Sequence, residues 1–308
     1  MPDGARVQDL VSSLSPGNCL CKEIGNGLGH PDRRNNVSLM IRVWLSGRWY
    51  HTLIDCGKTF RDAVLNVFHP LGLAHVDEVL LTHGHKDACG GLDDLRDLQN
   101  FSMTPEREYR VSGPLTVVSD HTTVIEVQRQ FSYMFDTSKR PTPAADGSYS
   151  MKAKMAVLDL VSLNRGPEDA GDIQSRVIPG GMEVTVLPVW HGKGYYCLGF
   201  AFERVLYLSD VSEVPSHIGE WISSHGPWKL IVIDSLRVHA PHFSHMSLSE
   251  ALKLILKWDP EEARIVGMGC EMNSRETDPQ LAMVVAAAKG RLRRVTLGRD
   301  GEVVKFEC

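Results

Sequence analysis

The stretch Val79-Leu80-Leu81-Thr82-His83-Gly84-His85-Lys86-Asp87-Ala88-Cys89-Gly90-Gly91 sets the terms on which the rest of the chain is read. An apolar run stops abruptly and gives way to two histidines and an aspartate at alternate positions. If residues 79–81 form a buried strand, the residues beyond Thr82 lie in the loop at its end. A turning loop can aim His83, His85 and Asp87 at a common point, which is what one or two cations need. Gly90 and Gly91 let the backbone turn sharply, and Leu92, Leu95 and Leu98 begin a helix by their spacing. A histidine pair alone says little, since an ordinary polar loop holds one as readily. The order strand, His-x-His-x-Asp, glycine, helix says more, and its partners must lie downstream.

With 308 residues and 43% hydrophobic content the chain can build a large core, as one big domain or two modest ones. The net charge of −5 supplies no basic bulk to draw it to nucleic acid. Residues 1–14 lack the charged-then-apolar pattern of a signal peptide, and no apolar run approaches membrane-spanning length. A cytoplasmic protein with no membrane partner is expected. Seven cysteines scattered over this length suit reduced thiols better than a disulfide framework; Cys19 and Cys21 are close enough to share a metal, but a Cys-x-Cys pair without a second pair reads as simple thiols.

Residues 1–36 read as a loop-rich lead-in, with a glycine-rich run from Gly25 that lacks the strand-before, helix-after context of a phosphate loop. Residues 37–308 read as a single domain. Residues 38–45 and 49–55 form a hairpin about Ser46-Gly47, ending in Leu53-Ile54-Asp55-Cys56-Gly57 with a carboxylate where the strand gives out. Residues 115–119 read as a strand and 121–135 as a helix. Residues 137–171 turn polar and rich in Pro and Gly, interrupted by the apolar run 155–163, and suggest an inserted, lid-like excursion. Later strands end at His191, at Asp210 and at Asp234, and a loop then carries His239, His242 and His245. Ser247 and Glu250 are spaced as a capping box. A strand at 264–266 runs into Gly267-Met268-Gly269-Cys270, and a helix opens at Thr277 with Pro279 in its first turn. The two halves repeat one rhythm. An α/β fold with two sheets sandwiched between helices fits it, with the polar strand ends gathered on one edge.

At least four strand ends thus carry a candidate metal ligand. His83, His85 and His191 offer three nitrogens to one ion; Asp210 has two oxygens and can bridge to a second; Asp87 and Cys270 would complete that second site. Two ions about 3.5–4 Å apart can clamp a phosphoryl centre from both sides.

In order, Leu53-Ile54-Asp55-Cys56-Gly57, His83-x-His85-x-Asp87, His191, Asp210 and Gly267-Met268-Gly269-Cys270 resemble the ligand motifs of the metallo-β-lactamase superfamily. The likeness covers residues 19–269 and is strongest to the phosphodiesterase branch that includes ribonuclease Z and the cyclic phosphodiesterase of phosphonate breakdown. Within it, Asp87-Ala88 and Tyr207-Leu208-Ser209-Asp210-Val211-Ser212 are similar to a eukaryotic hydrolase subgroup with a His-x-His-x-Asp-Ala motif. The resemblance implies a four-layer αββα sandwich, the metallo-β-lactamase fold, with the metal site at the sheet edge. It implies that Asp55 supports the metal ligands from behind and that His245 protonates the leaving group, with His242 its nearest competitor. Two residues depart from the pattern: Ala88 stands where a second-site histidine is usual, and Cys270 stands where another is. One tightly held zinc, a weak or absent second ion, and manganese as the alternative metal are therefore expected.

The implied function is a metal-dependent hydrolase of a phosphodiester or related small ester, in which a water bound at the metal attacks, Asp87 orients it and His245 assists the leaving oxygen. Lys86 and His242 are candidates for contacting a substrate. A ribonuclease Z-like nuclease, or a decayed metal-binding scaffold, are the alternatives. The expected partner is a small molecule rather than nucleic acid, and a homodimer is compatible with the sequence.

Overall fold

A computed structural model describes residues 3–21, 30–135, 142–163 and 171–306. The chain divides into two compact units, one of residues 35–170 with 177–182, the other of residues 1–34, 171–176 and 183–308.

The first unit is built on a five-stranded sheet in the order Leu39–Leu45, Arg48–Ile54, Glu78–Leu80, Leu115–Ser119, Leu158–Ser162. The hairpin forms where expected. Ser46 and Gly47 both take positive φ (51° and 84°), the turn that matches the twist of a two-residue hairpin. The other strand pairs are parallel, with Ile54 opposite Leu80 and Leu80 opposite Val118. A parallel strand is covered on both faces, which is why Val79 and Leu80 are buried in an unbroken apolar run. Leu92, Leu95 and Leu98 lie on a 3₁₀ helix, Leu92–Leu98, whose three-residue repeat turns all three onto the core. Within the expected insertion, Leu158–Ser162 is an edge strand of the main sheet, and Tyr149–Met151 joins a three-stranded sheet with Phe101–Met103 and Tyr109–Val111. Residues 137–141 and 164–170 of that segment lie outside the described residues.

The second unit carries a seven-stranded sheet in the order Arg294–Leu297, Glu262–Val266, Leu230–Asp234, Val205–Leu208, Tyr196–Phe202, Glu183–Trp190, Gln174–Val177. Its first four strands are parallel. Ile231, Ile233 and Ile265 pack with Leu252 and Ile255 of the helix Leu248–Trp258 and with Leu281 and Val284 of the helix Ser274–Ala287. The capping box is complete: Ser247 Oγ accepts from the Glu250 N–H, and Glu250 accepts from the Ser247 N–H at 2.8 Å. The last long helix starts at Ser274 rather than Thr277. The side chain of Asn273 accepts from the Glu276 N–H at 3.0 Å and caps it three residues early, leaving Pro279 inside the helix.

The lead-in is not all loop. Asp3–Ser12 is a helix, and Val11 and Leu14 are buried in the core of the second unit with Val7. Ten residues are too few for a helix to hold by itself in water. Burying three such side chains, each contributing about 1.5–3 kcal/mol, makes the difference. The glycine-rich run from Gly25 to Gly29 lies outside the described residues. Just after it, buried Asp32 accepts from the Ser274 N–H at 2.8 Å and from Arg34 at 2.9 Å, tying the lead-in to the helix at 274. Burial raises the Asp32 carboxyl, but the Ser274 N–H and Arg34 outweigh it and hold it below the carboxylate range. No helix among the described residues is long and apolar enough to cross a membrane.

A carboxyl depressed in the folded state stabilises the fold above its unfolded pKa, and that contribution is lost as pH falls through the folded value. Asp32→Ala is therefore expected to cost about 1–3 kcal/mol at pH 7. In urea titrations the gap from wild type should narrow as pH drops below about 4. A gap independent of pH would contradict the ion-pair account.

Candidate metal and proton-transfer groups

In the first unit, the strands Arg48–Ile54 and Glu78–Leu80 end level, so Asp55 comes alongside Thr82. Asp55 takes a positive φ of 60°, a region aspartate enters more readily than most residues. Its carboxylate accepts from the Thr82 N–H and from the Thr82 hydroxyl, both at 2.8 Å. A carboxylate can only accept, so the Thr82 hydroxyl gives its one proton to Asp55. The contact of 2.9 Å between Thr82 Oγ1 and His83 Nδ1 must then be donated by the imidazole. His83 is thereby held, fully buried, as the tautomer whose Nε2 keeps its lone pair. That nitrogen lies 3.7 Å from Oδ1 of Asp87, a buried carboxylate oxygen that makes no hydrogen bond among the described residues. Imidazole and carboxylate facing one another beyond hydrogen-bond reach fit a divalent cation such as zinc or manganese. The His85 ring stands 4.7 Å from that of His83.

The loop that carries these groups is clamped. Cys56 N–H donates to Ala88 C=O, Lys58 N–H to Lys86 C=O, and Gly91 N–H to Cys56 C=O, at 2.7–3.0 Å. A Cβ on Gly57 would overlap the Asp87 carbonyl, so the approach requires glycine. Gln130 donates to the Gly84 carbonyl at 2.6 Å. Ala88 is buried and offers no ligand at the position where the related motif has histidine. Lys86 Nζ sits 4.4 Å from the centre of the Phe131 ring. Burial pushes the Cys89 thiol up to about 12, so it stays a neutral thiol.

In the second unit, His191 is buried and its Nδ1 lies 2.8 Å from the Ser244 carbonyl, which can only accept. His191 is thus also held with its lone pair on Nε2. Asp210, at φ 41°, follows the strand Val205–Leu208. Ligand atoms of His191, Asp210 and His245 lie within 4.8 Å of one another. His245 Nδ1 is 2.8 Å from Asp234 Oδ2 and 3.9 Å from Asp210 Oδ1. Asp234 is fully buried and also accepts from the Val211 N–H at 3.1 Å. Burial drives its carboxyl upward, against the pull of the His245 contact. Gly267, at φ 72°, abuts Asp234: a Cβ there would run into Asp234 Oδ1. The glycine of the late motif makes room for the aspartate that orients His245.

The loop histidines now separate. His239 is spanned by Ser249 Oγ and the Leu14 carbonyl, each at 2.6 Å, a structural tie. His242 contacts Ser244 Oγ at 3.3 Å, and partial burial, with His245 and Arg237 nearby, lowers its pKa. Among the three, His245 has the buried carboxylate. Cys270 was expected beside Asp87 and Asp210 as a second-ion ligand. The structure gathers it instead with Cys19 and Cys21, three exposed thiols within 4.8 Å of one another. Hydrogen bonding to Cys21 lowers the Cys19 thiol, and the same contact raises that of Cys21 to about 11. Cys-x-Cys in the lead-in was the available sequence signal. Thr82, Gln130 and Asp234 were not singled out; only Asp234, closing a strand just before the histidine loop, left a trace that sequence reasoning could have used.

Residues 50–268 match the family model described as a beta-lactamase superfamily domain. The chain belongs to the metallo-β-lactamase superfamily. It is 27% identical over 237 residues to an octanoyltransferase of Porphyromonas gingivalis, covering 77% of this chain and 39% of that protein. It is 27% identical over 167 residues to ribonuclease Z of Shouchella clausii, covering 53% of this chain and 51% of that protein. The chain therefore spans about two fifths and one half of the lengths of these relatives. Among solved structures it is similar to a diphosphatase from the PhnP family, at TM-score 0.65 and 21% identity over 91% of this chain and 87% of that one. It is likewise similar to the short form of human tRNase Z, at TM-score 0.55 and 14% identity over 92% and 98% of the two chains. These likenesses show the metallo-β-lactamase fold, an α/β fold of mixed sheets and helices.

Thr82→Val keeps the side-chain shape but breaks the link from Asp55 to His83. It is expected to weaken zinc or manganese binding about 10–100-fold, read by calorimetry, with far-UV circular dichroism unchanged. Wild-type affinity in this variant would remove the hydroxyl from the account.

Proposed function

We propose that this protein is a metal-dependent hydrolase of phosphodiesters or related small esters. His83, His85, Asp87, His191 and Asp210 hold the ion in this reading, as the motif order of the family implies. The observation that carries it is the tautomer shared by His83 and His191: each donates through Nδ1 to the protein and keeps Nε2 for a ligand. A divalent cation supplies Lewis acidity and lowers the pKa of water. The chain's own groups do the rest. Asp87 Oδ1 orients the attacking water or helps hold the ion, and Asp55 through Thr82 holds His83 in register. Asp234 fixes Nδ1–H of His245 toward itself, so Nε2 is the atom that carries a proton to the leaving oxygen.

Zinc is the metal we favour, with manganese compatible with the nitrogen and oxygen donors. A second ion has fewer ligands to call on, because Ala88 offers none and Cys270 stands with Cys19 and Cys21. The net charge argued against nucleic acid, but relatives named ribonuclease Z remove that exclusion, and RNA remains within the substrate class.

The full chain, purified without chelators, should contain a divalent metal and hydrolyse bis(p-nitrophenyl) phosphate. Asp210→Ala should lower bound metal and activity together. Asp234→Asn should keep the metal and lose about 10–100-fold in kcat. Metal-loaded protein inert on a panel of phosphodiesters and esters would favour the scaffold reading instead.

A further inference from the structure

Phe243 is 82% exposed, the most exposed large apolar side chain among the described residues. Its position is not a consequence of slack in the chain. The loop around it is anchored by buried Ser244 and Met246, by the hydrogen bond from His191 to the Ser244 carbonyl, and by the two contacts of His239. Gly192 takes a φ of 92°, which favours glycine, and faces the loop: a Cβ there would make ordinary van der Waals contact, 3.4 Å from the Phe243 carbonyl and 3.9 Å from its ring. The ring packs at 4.5 Å and 34° on His242, whose own ring lies 5.2 Å from that of His245. An anchored loop thus displays a bare aromatic ring two residues from the histidine read as the proton donor.

We infer that Phe243 is a specificity-determining residue that stacks on a flat aromatic ring carried by the leaving group of the substrate. The inference rests on the hydrolase reading above and names the side of the substrate that the enzyme selects. The ring has the position for this: it packs on His242, whose ring neighbours that of His245, so a ring-bearing group that takes its proton from His245 lies within reach of it. Flat rings suit a flat, rigid side chain better than aliphatic groups do, because stacking recovers contact over a whole face. A nucleobase and a simple aryl ring both satisfy this chemistry.

The test compares wild type, Phe243→Ala, Phe243→Leu and Phe243→Trp as metal-loaded full-length protein. Three substrates are used: adenosine 2′,3′-cyclic phosphate, bis(p-nitrophenyl) phosphate, and glycerol 1,2-cyclic phosphate, which has no ring. Phe243→Ala is expected to lower kcat/KM about tenfold more for a ring-bearing substrate than for the glycerol ester. Phe243→Trp should restore the difference and Phe243→Leu should not. Selective loss on the adenosine ester alone marks a nucleobase; selective loss on the nitrophenyl ester alone marks a small aryl group. Equal losses on all three, or none, overturn the inference while leaving the hydrolase reading intact. If the wild type cleaves none of the three, the substrate lies elsewhere among phosphodiesters and esters, and calorimetry with adenosine 5′-monophosphate and glycerol 3-phosphate decides the stacking role. There Phe243→Ala should weaken the adenosine ligand about tenfold more than the glycerol ligand. Equal affinities, or no binding to wild type, overturn it.

Discussion

An imidazole serves a cation only through a nitrogen that has kept its lone pair, so its other nitrogen must be engaged as a donor. Much of this structure follows from meeting that condition at His83 and His191. At His191 a single backbone carbonyl, that of Ser244, is enough. At His83 the acceptor is a hydroxyl, which could equally have donated. Only because Thr82 is committed to Asp55 does the direction become unique. Asp55 in turn depends on parallel pairing that brings Ile54 opposite Leu80, on its positive φ, and on the clamp from Cys56 and Gly57 to the loop at Asp87.

A similar dependence governs His245. Pairing of Leu208 with Ile233 and of Asp234 with Val266 ends three parallel strands together, which brings Asp210, Asp234 and Gly267 to one edge of the seven-stranded sheet. Asp234 is costly to bury as a charge, and that cost is offset by the His245 contact and the Val211 N–H. The benefit is orientation: a buried carboxylate on Nδ1 aims the opposite nitrogen outward. Gly267 completes the arrangement by supplying the space that any side chain would fill.

What could be read in the residues depended on how local the signal was. The Ser46-Gly47 hairpin and the Ser247/Glu250 capping box formed as spaced, because turn and cap chemistry acts over a few neighbouring residues. The helix at Asp3–Ser12 was missed because its stability comes from distant packing rather than from its own ten residues. The strand Leu158–Ser162 showed only as an apolar run within a polar stretch, because its place as an edge strand is fixed by pairing with residues 115–119 far along the chain. The last helix starts at Ser274 because the capping side chain of Asn273 outweighed the proline signal at Pro279.

By itself, the sequence determined which atoms are available. It supplied the His-x-His-x-Asp run, the aspartates at strand ends, the histidine loop and the glycine-containing late motif, in the order of the metallo-β-lactamase superfamily. Tertiary structure decided which of those atoms act together. Residue types and spacings define ligand chemistry, but tautomer, burial and partnership are set by groups brought close from far along the chain. So Thr82 and Asp234 emerged as the residues that orient His83 and His245, His239 serves as a structural tie, and Cys270 was gathered with Cys19 and Cys21.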